Sequence, residues 1–251
     1  MTSVVCTRGV SLIVATLGRS CIRTLLDSLQ AQTCQDFECI VVDGSADGRS
    51  EPLVRGYPRT LYVRSTRSGN SAIRNIGIDY ARREILGFPD DDCYYDPNTV
   101  EEVLRGFRTC EQSVAGVSGL WMDTISRRPA LGGRRRRHAT IINIWSSITN
   151  ITMFLRSDVV RKVGGYDEQF GLGSGSFEGG EETDLALKIF GAGKHILFTP
   201  DVRIWHPQDR HDLHMPEKQW GYEEAWGALF RKWSRPGRIG PSILVSAAWF
   251  I

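Results

Sequence analysis

Residues 86–95 read LGFPDDDCYY, an apolar run that halts at Pro89 and then sets Asp90, Asp91 and Asp92 side by side. Adjacent carboxylates repel one another unless a cation lies close. Two acids one residue apart can hold a hard divalent ion that also takes phosphate oxygens, so the triplet reads as a platform for a metal and a diphosphate. On its own it also reads as a solvated acidic turn. A second acidic group sits in residues 179–184, GGEETD, where Glu181 and Glu182 open a stretch that places Leu185, Ile189 and Phe190 on one helical face. A helix N-terminus favours ionised carboxylates, and a general base must be ionised to accept a proton. The same placement also serves simple helix capping.

These groups need a scaffold that brings them together, and the first 120 residues supply one. VSLIVA (10–15) reads as a buried strand, followed by a helix from about Ser20 with Ile22, Leu25, Leu26 and Leu29 on one face. FECIVV (37–42) and residues 61–63 are the next strands. A helix over 72–83 with Ile73, Ile76 and Tyr80 inward precedes a strand over 84–88. A helix from Asn98, with Val100, Val103, Leu104 and Phe107 inward, precedes a strand over 114–120. This rhythm predicts an α/β fold with a mostly parallel sheet.

Ligands of such sheets gather beyond the carboxyl ends of the strands. The residues there are Thr16 and Arg19 after the first strand, Asp43 after the second, RSGNSAIRN (67–75) with Arg74 after the third, and Asp90 to Asp92 after the fourth. An acid in such a place can accept a base N–H or a ribose hydroxyl, and arginines pair with a diphosphate. The common address favours a nucleotide site. The chain has no G-x-x-x-x-G-K-[ST], no G-x-G-x-x-G after the first strand and no G-x-S-x-G, which removes P-loop, dinucleotide-dehydrogenase and α/β-hydrolase chemistry.

With 251 residues, 41% of them hydrophobic and 24% charged, the chain can bury one sizeable core. Its six cysteines form no C-x-x-C pair, so neither a disulfide framework nor a zinc finger is expected and a reducing, cytoplasmic setting fits. The N-terminal residues lack the pattern of a signal peptide. Net charge is only +2, but seven arginines and no acid lie between Thr124 and Ser157, while Asp167 to Asp184 holds six acids and no base. A basic segment attracts phosphates of any kind, which keeps a non-catalytic nucleic-acid-binding protein as one alternative. A nucleotidyltransferase on a similar sheet is another.

The runs VSLIVATLGR, ECIVVDGSADG, GNSAIRNIGIDYARREILGFPDDDCYYDP and GGEETDLALKIFGAGKHILFTPDVRIWHP resemble the inverting family 2 glycosyltransferases of the GT-A fold, over roughly residues 9 to 207. The resemblance implies a nucleotide-sugar donor, usually UDP-linked, a Mn²⁺ or Mg²⁺ ion, and transfer with inversion to a saccharide or lipid-linked acceptor in polysaccharide or glycolipid assembly. It also implies roles. Thr16, Arg19 and Asp43 would line the nucleoside pocket, with Arg74 beside the diphosphate. Asp90 to Asp92 would stand at the D-x-D position: Asp90 and Asp91 toward the donor, Asp92 on the metal. Glu182 would be the general base, and His206 would reach the metal or diphosphate. The pairing of D-x-D with GGEET argues against nucleotidyl transfer, and no nucleic-acid partner is expected. Gly18 stands where the family usually has asparagine, and Glu182 where it usually has the shorter aspartate.

The expected organisation is a catalytic domain over 1–215, donor-binding over 9–120 and acceptor-binding over 121–215, with an amphipathic tail over 216–251. His211 and His214 read as a solvated loop rather than a zinc site. GGRRRRHAT (132–140) reads as a mobile solvent loop or a diphosphate clamp. The tail mixes Trp226, Phe230 and Trp233 with four basic residues and ends on an apolar run about half the ~20 residues a membrane span needs. It predicts packing on the domain or peripheral attachment to a membrane face.

Overall fold

Apolar faces at period two and at period 3.6 meet in one sheet covered by helices on both sides. The computed structural model describes residues 9–208 and 216–234. In chain order the elements are β1 (Val10–Thr16), α1 (Ile22–Gln30), β2 (Phe37–Asp43), α2 (Glu51–Val54), β3 (Thr60–Arg64), α3 (Asn70–Tyr80), β4 (Ile85–Gly87), β5 (Tyr94–Tyr95), α4 (Thr99–Arg108) and β6 (Val114–Asp123). Then follow β7 (Pro129–Leu131), β8 (Arg137–Ala139), β9 (Met153–Arg156), α5 (Ser157–Lys162), α6 (Glu181–Gly191), β10 (His195–His206) and α7 (Pro216–Trp233).

The strand order is β3-β2-β1-β4-β9-β6-β10-β5, with β7 on β6 and β8 on β10. β3, β2, β1 and β4 run parallel, as the sequence rhythm predicts. β9 departs from it, lying antiparallel to both β4 and β6, after which β10 is again parallel to β6. Its four residues, MFLR, are too few for periodicity to reveal a strand. The division expected at residue 120 falls inside β6, so the two halves share one sheet.

One face of the sheet carries α1 and α4, which bury Leu25, Leu26, Leu29, Val103 and Phe107 against Leu12, Val14 and Val41. The other carries α3 and α6, which bury Ile73, Ile78, Leu185 and Ile189 against Ile13, Ile40, Val42 and Leu86. Each such side chain contributes about 1.5–3 kcal/mol when fully buried. The inward face of α3 differs from expectation: Tyr80 is half exposed, while Arg74, Gly77 and Ile78 turn inward. Gly77 allows this, because a Cβ there would stand 2.2 Å from Ile13 Cγ2. Close approach at Gly77 rotates the helix, and ion pairs let Arg74 follow it into the interior.

The segment 132–140 is not a solvent loop throughout. Arg134, Arg135 and Arg136 are exposed, but Arg137 enters β8, lies over the Phe198 ring at 4.3 Å and donates to the Ser146 carbonyl at 2.9 Å. β8 pairs with Ile196–Phe198, at the opposite end of β10 from His206, which places Arg137 away from the acidic triplet.

α7 packs on the domain. Ala225, Leu229 and Trp233 are buried, and Trp226 lies against Trp145 with ring centroids 3.7 Å apart. Trp233 Nε1 donates to Asp184 Oδ1 at 2.8 Å, and Lys232 Nζ stands 2.6 Å from both Asp167 Oδ2 and Asp184 Oδ1. No helix among the described residues is long and apolar enough to cross a membrane. His211, His214 and the apolar end of the tail lie outside the described residues.

Candidate active site

Register places the polar strand ends in one row. Thr16 pairs with Asp43 across β1 and β2, and an isolated parallel bridge joins Ala15 to Asp90. The row divides into a buried frame and an accessible rim.

The frame consists of Thr16, Asp43, Arg74 and Asp91, none more than 3% exposed. Asp91 Oδ2 accepts from Thr16 Oγ1 at 2.6 Å and from Arg19 Nε at 3.2 Å, while its Oδ1 is paired with Arg19 Nη2. Burial raises the Asp91 carboxyl above its ordinary value, and the Thr16 and Arg19 bonds offset only part of that. Asp43 Oδ1 accepts from the Ser45 N–H at 2.8 Å, and its Oδ2 from the Ser50 N–H at 3.1 Å and Tyr62 Oη at 3.0 Å. Burial pushes the Asp43 carboxyl up, but bonds from Ser45, Ser50 and Tyr62 hold it below the ordinary range. Arg74 reaches Asp90 Oδ1 through Nη2 at 2.9 Å and Glu181 Oε1 through Nη1 at 3.0 Å. The sequence reading turned all four toward the donor. In the structure these neighbours engage their polar groups, and both oxygens of Asp91 are turned toward Thr16 and Arg19.

The rim consists of Arg19, Asp90, Asp92 and His206. Asp90 is 34% exposed at its side chain, and Asp92 and His206 are each 20% exposed. Arg19 Nη1 donates to Asp92 Oδ2 at 3.0 Å. His206 Nε2 lies 3.0 Å from Asp92 Oδ1 and 3.9 Å from Asp90 Oδ2. Burial pushes the Asp92 carboxyl up, yet His206 and Arg19 hold it low; burial lowers the imidazole and Asp92 raises it. Despite that separation, among the described residues Asp92 Oδ1 has no aligned hydrogen-bond donor and His206 Nδ1 is likewise buried without a partner. About 3 Å is the edge spanned by two neighbouring ligands of an octahedral ion with bonds of about 2.1 Å. Carboxylate oxygen with imidazole nitrogen suits Mn²⁺ or Mg²⁺ with phosphate oxygens completing the shell. The residues present fit such an ion.

The base candidate lies across this rim, at the start of α6. Gly180, at φ 79° and ψ 2°, turns the chain into the helix, and a Cβ there would stand 2.7 Å from Leu229 Cδ1 of α7. Glu181 turns inward, accepting from Arg74 and from Asn150 Nδ2 at 2.8 Å, and Tyr166 Oη donates to Asn150 Oδ1 at 2.8 Å. Glu182 makes no ion pair among the described residues. Its carboxyl is pushed up to about 8, first by burial and then by the charge of Glu181; Arg74 opposes the shift and Asp90 reinforces it. Two neighbouring acids thus differ in kind, one fixed by the frame and one left to exchange a proton.

Asn150 and Tyr166 were not foreseen, because neutral side chains carry no spacing signal, and TNIT and GGYD read as ordinary loop. In IWHP, His206 follows Trp205 directly, and the sequence alone does not say whether it packs beside that ring. It faces the acids, while Trp205 stacks on Tyr94 with centroids 5.6 Å apart.

The model for "Glycosyl transferase family 2" matches residues 11–159. EpsH of Bacillus subtilis is 38% identical over 104 residues, covering 39% of this chain and 30% of its own length. The glycosyltransferase AglE of Haloferax volcanii is 27% identical over 207 residues, covering 74% of this chain and 62% of its own. The chain therefore spans less than two-thirds of either relative. Among solved structures, the mannosyltransferase PcManGT from Pyrobaculum calidifontis, in complex with GDP-Man and Mn²⁺, superposes with a TM-score of 0.69 at 19% identity, covering 96% of this chain and 69% of that one. At that identity the likeness is one of fold.

Proposed function

The chain belongs to glycosyl transferase family 2, and from that premise we propose that it is a metal-dependent inverting glycosyltransferase. It moves a sugar from a nucleotide-sugar donor, UDP-linked, to a hydroxyl of a saccharide or lipid-linked acceptor in polysaccharide or glycolipid assembly. The observation that carries this reading is the buried Arg74 guanidinium, which ties Asp90 to Glu181 and so fixes the acidic triplet and the start of α6 relative to one another.

In this reading the donor lies along the rim, its diphosphate toward Arg19 and Asp90. Mn²⁺ or Mg²⁺, held by Asp92 and His206 with Asp90 beside them, would supply positive charge to the departing diphosphate. Glu182 takes the proton of the acceptor hydroxyl, whose oxygen attacks the anomeric carbon from the face away from the diphosphate. The bond from that carbon to the diphosphate breaks, its electron pair leaves with the nucleotide, and the configuration inverts. Asp91, Thr16 and Asp43 act on the donor through the loops they hold, and Arg74 and Glu181 position the two carboxylate groups.

A cytoplasmic setting is part of this reading. Peripheral membrane attachment would fall to residues beyond 234, since Trp226, Phe230 and Trp233 already pack against the domain.

A thermal-shift panel of UDP-, dTDP- and GDP-sugars tests the reading. One nucleotide class is expected to stabilise the protein with Mn²⁺ and to lose its effect in chelator; at 100 times the dissociation constant the gain is about 2.7 kcal/mol. If no nucleotide sugar stabilises the protein or turns over with either ion, the proposal is wrong.

A further inference from the structure

We propose that Cys93 is a third ligand of the metal site formed by Asp92 and His206, giving it a mixed oxygen, nitrogen and sulfur donor set that favours Zn²⁺ and Mn²⁺ over Mg²⁺. The inference rests on the metal reading proposed above and goes beyond it by naming the ligand that sets the choice of ion.

The β5–β10 ladder places Cys93. It pairs Tyr95 with Ile204 and Tyr94 with Trp205, antiparallel, so one further step sets Cys93 opposite His206. Side chains directly opposite across such a ladder share a face, with Cβ atoms about 4.5–5.5 Å apart. The Cys93 N–H donates to the Asp90 carbonyl at 3.1 Å, closing the turn that carries Asp92 back toward the strand end. As a result one ligand atom from each of Asp92, Cys93 and His206 lies within 4.8 Å of the other two. Cys93 is wholly buried, forming the inner wall, while Asp92 and His206 open toward the cleft. Asp92 Oδ1, the oxygen that faces His206 Nε2, is buried with no aligned hydrogen-bond partner among the described residues, and the other ring nitrogen, Nδ1, is likewise unpartnered among them.

The donor set decides the ion. Thiolate with imidazole suits Zn²⁺ and is tolerated by Mn²⁺, whereas Mg²⁺ demands near-octahedral oxygen and keeps its waters. On binding, the Cys93 S–H gives its proton to solvent and a sulfur lone pair forms the bond to the ion. Zn²⁺ then competes with whichever ion supports transfer.

Co²⁺ titrated into the full metal-free chain reports the bond directly, because a thiolate ligand produces a sulfur-to-cobalt charge-transfer band in the near ultraviolet. The band is expected to saturate at a single site, to vanish on adding Zn²⁺ and to persist in a large excess of Mg²⁺. Cys93→Ser and Cys93→Ala should both lose it and bind Zn²⁺ at least about tenfold more weakly, with Mg²⁺ binding little changed. Circular dichroism identifies the variant that keeps the native fold, and the smaller, apolar alanine guards against the cost of a buried hydroxyl. Co²⁺ binding seen by calorimetry without the band, or a band surviving in a folded Cys93 variant, overturns the inference and leaves Asp92 and His206 as ligands. No Co²⁺ binding either to the chain alone or with the nucleoside diphosphate added overturns both this inference and the metal reading beneath it.

Discussion

Glu182→Gln is expected to bind donor and metal nearly as the parent does while transfer falls by at least about a hundredfold. General-base catalysis is worth about 10² to 10⁴ in rate, and the amide keeps size and polarity but cannot take the proton. The donor rim keeps its contacts, since Glu182 forms no ion pair with it among the described residues and meets Asp90 only through like charge. Donor affinity by calorimetry and transfer rate by product formation separate the two effects. A second readout follows from burial. The folded carboxyl holds its proton to about 8 and the unfolded chain releases it near the ordinary value of 4.5, so the folded state binds more protons in between. Stability at this group is therefore greatest below about 4.5 and falls as pH rises toward about 8. Glutamine removes that loss, so the variant should melt higher than the parent at pH 8 and no higher at pH 4. The neighbours behave differently. Glu181→Gln loosens Arg74 and Asn150 and should lower transfer by misplacing the helix start. Asp184→Asn weakens the anchor of α7 and should act through stability, because Asp184 is wholly buried against Trp233, Lys188 and Lys232. Transfer retained in Glu182→Gln but lost in Glu181→Gln would move the base by one residue.

Asp92→Asn is expected to abolish metal-dependent donor binding and to lower turnover by about 10³ or more. Asp92 is the carboxylate closest to His206, and its Oδ1 has no aligned donor to lose. The ion is asked for several kcal/mol of leaving-group stabilisation, and each 1.36 kcal/mol is tenfold in rate. The fold should survive, because Arg19, the other partner of Asp92, is more than half exposed and such pairs contribute little. Mn²⁺ titration in the presence of the nucleotide diphosphate checks both parts. Full turnover of this variant in excess chelator would remove the metal from the account.

The features legible in the sequence are those that break a pattern. The acidic triplet follows directly on an apolar strand, and GGEET opens an amphipathic helix, so both were visible as chemistry. The faces of α1 and α4 were legible because their apolar residues repeat at helical spacing with nothing to compete. The α3 face was not, since spacing alone put Tyr80 on the apolar stripe and gave no sign that Arg74 turns into the interior; only the two carboxylates that receive the guanidinium explain its burial. β9 escaped because a strand buried on both faces has no alternation to betray it. Sequence position could place Asp91 and Asp92 at one strand end but not say that one turns inward to Thr16 and the other outward to His206. That division depends on the turn closed by the Cys93 N–H and the Asp90 carbonyl. Asn150 and Tyr166, which hold Glu181, have no local signature at all.

The most direct test of the account is the configuration of the first product. The nucleotide sugar that best stabilises the protein, α-linked and supplied with Mn²⁺, should be turned over while proton NMR follows the anomeric signal from the first minutes, with water serving as acceptor where no other is in hand. Direct displacement assisted by Glu182 predicts that the β-configured product appears first, the α form growing in only as free sugar equilibrates, and that Glu182→Gln slows this appearance. An α-configured product appearing first would contradict the mechanism, because a single displacement from the face away from the diphosphate must invert the anomeric carbon.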